Sequence, residues 1–166
     1  DKVVKVEPEI AFILSKNLPA NPDGYTEQQI NDSIEQCHMA LELIQIRFTE
    51  ESGAGFYEKL ADCLVNQGLF IGPAIERAKA FDASKINITV SQEDNVQTFS
   101  GKHPNDCSYS PIYWLINYMT KRGVSFQAGE AIITGSYCGI VEIEFNKRTT
   151  VNYEGLGEYQ VIFKQK

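Results

Sequence analysis

The sequence predicts an α+β fold: a rolled or layered mixed β-sheet with two main helices packed on its outside, near residues 26–39 and 111–120. Three observations predict it. Strand-like apolar segments recur near both ends of the chain, in residues 3–14 and again in 131–135, 141–145 and 159–163. Two intervening stretches carry apolar residues at three-to-four spacing behind a helix-start signal. Clusters of Gly, Pro, Asn and Asp punctuate the chain, with no internal repeat and no low-complexity segment.

The first strand is expected over Val3–Leu14. Alternation puts Val4, Val6, Ile10, Phe12 and Leu14 on one face and Glu7 and Glu9 together on the other. Two like charges side by side on a half-buried strand raise each other's pKa and cost stability unless a proton or cation lies between them. Mg²⁺ or Mn²⁺ would answer that cost, since these hard ions take oxygen ligands and need only a few carboxylates. The plainer reading of a Glu-x-Glu pair is the wet face of an edge strand.

Residues 15–24 are dense in turn formers and read as an exposed loop. Thr26 with Gln29 forms a capping box, and Ile30, Ile34, Cys37 and Leu41 recur at helical spacing, so a helix is expected from Glu27 to about His38. His38 at its end reads as a hydrogen-bonded residue rather than a ligand. A strand over 40–48 places Glu42 with Ile44 and Ile46 on one face, where a lone acid needs a partner. Residues 56–64 read as a short helix or irregular turn stopped by Gly68, and 69–73 as a short buried strand. Residues 85–90 and 96–99 flank the Glu93-Asp94-Asn95 turn as a hairpin. After the loop opened by Lys102-His103-Pro104, Pro111 suits the first turn of a helix with Trp114, Leu115, Tyr118 and Met119 on one face, ended by Gly123. The remainder is strand: 131–135, 141–145 with Glu142 and Glu144 on a solvated face, and 159–163.

Length and charge bound the function. A chain of 166 residues with 43% hydrophobic content supports one domain with its own core, so residues 1–166 are expected to form a single domain. Fifteen Lys and Arg against 22 Asp and Glu give a net charge of −7, which supplies no electrostatic footprint for nucleic acid or an anionic membrane. No apolar run reaches the length of a bilayer span, and the start carries no signal-peptide pattern, so the chain reads as soluble and cytoplasmic. Cys37, Cys63, Cys107 and Cys138 form no Cys-x-x-Cys pair, which fits reduced thiols, and two histidines give a zinc site little to draw on.

The order of these pieces has a counterpart. Residues 6–14 with Asn17-Leu18-Pro19 resemble the E-x-E-I-A-x-x-L…D-L-P opening of the metal-binding domain in 2-keto-4-pentenoate hydratases, within the fumarylacetoacetase superfamily. Ala40–Ile44 resembles the family's A-L-E strand, Ala61-Asp62 its A-D-N segment, and Gly129–Gly135 its G-D-I-I-L-T-G run; Trp114-Leu115 and Glu154–Gly157 also have counterparts. The resemblance implies a fumarylacetoacetase-like roll with Glu7, Glu9 and Glu42 as ligands of Mg²⁺ or Mn²⁺. It implies Asp62 and Thr134 as the catalytic pair beside a small 2-oxo or 2-hydroxy acid, and a homo-oligomeric enzyme that hydrates 2-hydroxydienoic acids. A decarboxylase or tautomerase of the same branch, or a binding domain without turnover, is the alternative. The sequence departs from the pattern at Cys63 for Asn, at Val65 for a small polar residue, at Ile46 for Ser, and in a longer interval from His103 to Trp114. The family's preceding N-terminal region, with a lysine and an aspartate used in proton transfer, has no counterpart in these residues.

Overall fold

A computed structural model describes residues 3–165. The chain forms the α+β roll, as two β-sheets with short helices at the periphery. Strands β1 (Val3–Leu14), β2 (Ile34–Ile44), β3 (Asn66–Ile75), β6 (Ala131–Ile133) and β7 (Val141–Glu144) make one sheet. Strands β4 (Lys85–Gln92), β5 (Asn95–Lys102), β8 (Arg148–Tyr153) and β9 (Gly157–Ile162) make the other, in the order β5-β4-β8-β9. Every pairing among the described strands is antiparallel, rather than mixed in direction.

β1 is the central strand of the first sheet, which removes the edge-strand reading of its two acids. β2 follows one edge of it from Lys5 to Leu14. On the other edge β6 covers Ala11–Ile13 and β7 covers Val3–Val6, leaving residues 7–10 without a strand partner. Pro8 lies in that gap. It has no N–H to give a ladder, so the chain between β6 and β7 leaves the sheet there as a loop, held by Tyr137 N–H donating to the Pro8 carbonyl at 3.2 Å.

The core lies between the sheets: Val6, Ile10, Phe12, Met39 and Leu41 of the first pack with Ile88, Val90, Val151 and Tyr153 of the second. Tyr153 Oη donates to the Ala40 carbonyl at 2.7 Å, and Gln92 bonds the Glu144 backbone at 3.0 and 2.9 Å, so polar groups also tie the layers.

Several expected elements change. The capping box at Thr26 is present, but helix α1 spans only Glu27–Asn31, and residues 34–44 are strand. A bulge explains the misreading. Leu14 pairs with Ile34 while Phe12 pairs with Cys37, so the extra residue sets two inward side chains three apart, imitating a helical stripe. β3 runs through Gly68, and at the sheet edge it leaves Ile71 and Pro73 exposed rather than buried. Helix α2 (Phe56–Ala61) and the turn Cys63–Val65 match the short irregular element. Helix α3 (Arg77–Asp82) and strand β8 lie in stretches to which sequence reading assigned nothing. Helix α4 (Ser110–Thr120) starts beside Pro111 as expected, but it buries Ile112, Ile116 and Thr120. Trp114 and Tyr118 instead stack on each other outside, with Arg122 over the Tyr118 ring. His38 is hydrogen-bonded, its Nδ1 lying 2.8 Å from the Gly72 carbonyl oxygen, though from a strand and not a helix end. All four cysteines are free thiols. Among the described residues no helix is long and apolar enough to cross a membrane.

Candidate metal centre

Glu7 and Glu9 stand on one face of β1, and Glu42 lies directly across from Glu7 in β2. Directly opposed like charges repel in an antiparallel pair, yet ligand oxygens of all three acids lie within 4.8 Å of one another. The environment makes that repulsion costly. Glu9 is only 2% exposed, beneath the loop that leaves the sheet at Pro8. Burial, offset in part by the Gly135 N–H and augmented by the Glu42 and Glu7 charges, pushes its pKa up to about 7. Burial and then the charge of Glu42 push Glu7 up as well. The thiol of Cys138, in the same loop, is held up at about 11 by burial and by Glu7.

Two of the acids are fixed by neighbours. Gly135 N–H donates to Glu9 Oε2 at 2.7 Å, and Asn66 Nδ2 donates to Glu42 Oε1 at 2.6 Å. Gly135 has φ +136°, and a Cβ there would meet Pro104 at 3.3 Å, so only glycine brings this amide under the Glu9 carboxylate.

Thr134, next to Gly135, bonds through Oγ1 to His103 Nε2 at 3.2 Å. His103 is 1% exposed, and burial lowers its pKa, so the ring is neutral. Its Nδ1 lies 3.0 Å from the Asn105 backbone nitrogen and 3.2 Å from the Asn105 carbonyl oxygen, contacts that suit opposite tautomers of the ring. Asp62 is placed differently. Arg47 Nε contacts both its carboxylate oxygens, at 2.8 and 2.9 Å, and Arg47 Nη2 its carbonyl at 2.7 Å. Arg47 Nη1 also reaches the Asn66 carbonyl at 2.9 Å, so Asp62 is connected to Glu42 by way of Arg47 and Asn66.

The structure thus brings the three glutamates together, sets Thr134 beside Glu9 through the shared 134–135 backbone, and ties Asp62 to an arginine. His103, Gly135 and Asn66 were not legible as site residues. A buried histidine in a polar loop and the Gly after Thr134 were the only signals for two of them; Asn66 had none. The donor set fits a hard divalent ion: all oxygen, three carboxylates converging, and a buried acid whose pKa is pushed up to about 7 without one.

No family model matches the chain. Curated relatives do. The "2-keto-4-pentenoate hydratase 2" of Dechloromonas aromatica is 28% identical over 163 residues, covering 96% of this chain and 60% of that protein. The 2-keto-4-pentenoate hydratase of Paraburkholderia phymatum is 23% identical over 164 residues, with 97% and 61% covered. The chain therefore spans about 60% of the length of the curated relatives it matches. Among solved structures, 4-oxalocrotonate decarboxylase from Pseudomonas putida G7, complexed with magnesium and adipate, superposes with a TM-score of 0.74 at 20% identity, covering 97% of this chain and 60% of that one. A putative fumarylacetoacetate hydrolase family protein from Yersinia pestis gives 0.64 at 20% identity, with 97% and 70% covered. The chain has the fumarylacetoacetate-hydrolase-like fold and is a distant homologue of the 2-keto-4-pentenoate hydratases.

Proposed function

We propose that this domain holds Mg²⁺ or Mn²⁺ on Glu7, Glu9 and Glu42 and acts on a small 2-oxo or 2-hydroxy acid through its enol form, by decarboxylation or tautomerisation. The convergence of three carboxylates around the buried Glu9 carries this reading. The bound ion supplies Lewis-acid stabilisation of the negative charge that develops on the substrate oxygen. Glu9 would exchange its proton for an ion held there, and Thr134, its hydroxyl positioned by the 3.2 Å contact with His103 Nε2, would hydrogen-bond a substrate oxygen.

Decarboxylation and tautomerisation ask less of the protein than hydration does. Decarboxylation releases CO₂ and takes up one proton at carbon, and tautomerisation moves one proton from oxygen or carbon to another carbon, whereas hydration needs both a proton at carbon and a base aimed at the incoming water. Asp62, the acid that resemblance puts forward, spends both oxygens on Arg47; its part here is to orient, through Arg47. Hydration of a 2-hydroxydienoic acid is the second reading, favoured by the curated relatives.

The test is calorimetry of chelator-treated protein with Mn²⁺, then with oxalate or pyruvate, alongside loss of dienol absorbance from 2-hydroxypentadienoate. Metal-dependent binding of the acids, strongly weakened in Glu9→Gln, and slow or no hydration by residues 1–166 are expected. Wild-type-like Mn²⁺ binding in Glu9→Gln removes Glu9 from the site. Brisk hydration makes the second reading the correct one.

A further inference from the structure

We infer that Asn66 is a positioning residue for Glu42, delivered by a strained turn that Arg47 clamps, and that it biases the site toward Mg²⁺ or Mn²⁺ over Ca²⁺. The inference rests on the metal-site reading above and goes beyond it, to the device that sets which ion is preferred.

The turn between α2 and β3 is unusual. Cys63, Leu64 and Val65 have φ values of +57°, +51° and +65°, three consecutive non-glycine residues in left-handed conformation. Each is sterically disfavoured for an L-residue, and Val65 is β-branched, the least tolerant type. Such strain persists only where the surroundings over-determine it. Here one guanidinium grips both ends. Arg47 holds the Asp62 carboxylate and carbonyl before the turn and the Asn66 carbonyl after it, while Gln45 N–H donates to the Val65 carbonyl at 2.9 Å.

The turn determines how β3 enters the sheet. Ile44 pairs with Asn66 and Leu43 with Gly68, so Gln67 is an extra residue in the ladder. A bulge of this kind re-aims the neighbouring side chain. The re-aimed side chain is Asn66, whose amide meets Glu42 Oε1 at 2.6 Å.

The consequence is chemical. Asn66 holds Glu42 by Oε1, leaving Oε2 as the Glu42 oxygen without a hydrogen-bond partner among the described residues. Mg²⁺ and Mn²⁺ accept such one-oxygen carboxylates in a tight octahedron at about 2.0–2.1 Å. Ca²⁺ takes roughly six to eight oxygens, often both from one carboxylate. Pinning Glu42 by one oxygen therefore favours the smaller ions, and freeing it should relax the preference.

The experiment titrates chelator-treated protein with Mn²⁺ by electron paramagnetic resonance, then displaces Mn²⁺ with Ca²⁺, for wild type, Asn66→Ala and Arg47→Lys. Asn66→Ala should fold with an unchanged circular dichroism spectrum, bind Mn²⁺ about 10- to 100-fold more weakly, and show a lower Mn²⁺-to-Ca²⁺ affinity ratio. Arg47→Lys should shift both quantities the same way, since an ammonium cannot span the turn with the same fork. A folded Asn66→Ala with wild-type Mn²⁺ affinity and ratio overturns the inference. Weaker binding of both ions by the same factor also overturns it, since that is general loosening. Wild type that binds neither ion removes the metal-site reading itself, a result distinguishable from the other two.

Discussion

Glu9 is where sequence, burial and chemistry meet. Its folded pKa of about 7 lies above the ordinary carboxylate value of 4.5, so the ion-free folded protein holds this proton more tightly than the unfolded chain. The associated stability is complete below pH 4.5 and is lost as pH rises to about 7, on the order of 3 kcal/mol. Glu7, also raised, adds in the same direction. A Mn²⁺ held as proposed would replace that proton, so its stabilising effect should grow over that window. Melting curves with chelator and with excess Mn²⁺ at pH 5 and pH 8 should show a larger Mn²⁺-induced rise in Tm at pH 8, and Glu9→Gln should flatten the dependence. An equal rise at both values argues against proton-coupled binding. Thr134 has a separable role at this scale: Thr134→Val removes a hydroxyl but no carboxylate, so oxalate binding should weaken about fivefold while Mn²⁺ affinity stays constant. A parallel loss of Mn²⁺ affinity would place the hydroxyl's role in holding the ion.

At the scale of elements, tertiary pairing overrode a local signal in β2. The bulge opposite Leu14 gave Ile34 and Cys37 helix-like spacing, but partnership with the twelve-residue β1 decided for strand. α1 keeps its capping box because that bond is local, and it stops once β2 begins. In α4, residues 114 and 118, continued by Arg122 past its end, form as regular a stripe as 112, 116 and 120, so spacing alone could not say which faced the core. The left-handed turn is a further tertiary product, since nothing about Cys63-Leu64-Val65 favours positive φ. Glycine removes the clash, so Leu64→Gly, at a half-exposed position, should raise stability by up to about 1 kcal/mol after the entropic cost of glycine in the unfolded chain. A fall in the urea midpoint would show that the Leu64 side chain contributes more than its backbone strain costs.

At the scale of the molecule, the sequence by itself determined the α+β class, the first strand with its paired acids, and the hairpin of β4 and β5. These were legible because period-two alternation, turn chemistry and a short motif are local, and because Glu7 and Glu9 are two residues apart on one strand. Glu42 entered through family resemblance and was then placed opposite Glu7 by the β1–β2 register. Tertiary structure alone decided the rest. Pro8 opens the ladder between β6 and β7, and the loop released there carries Gly135 and Thr134 over Glu9 while His103, from a distant loop, comes in behind. Whether Glu9 lies on a wet face or at the bottom of a site depends on that covering loop, and whether Asp62 is a free acid depends on Arg47 fifteen residues away. Such contacts join segments far apart in the chain, and their free energies depend on which surfaces the fold brings together, information that no local period or propensity carries.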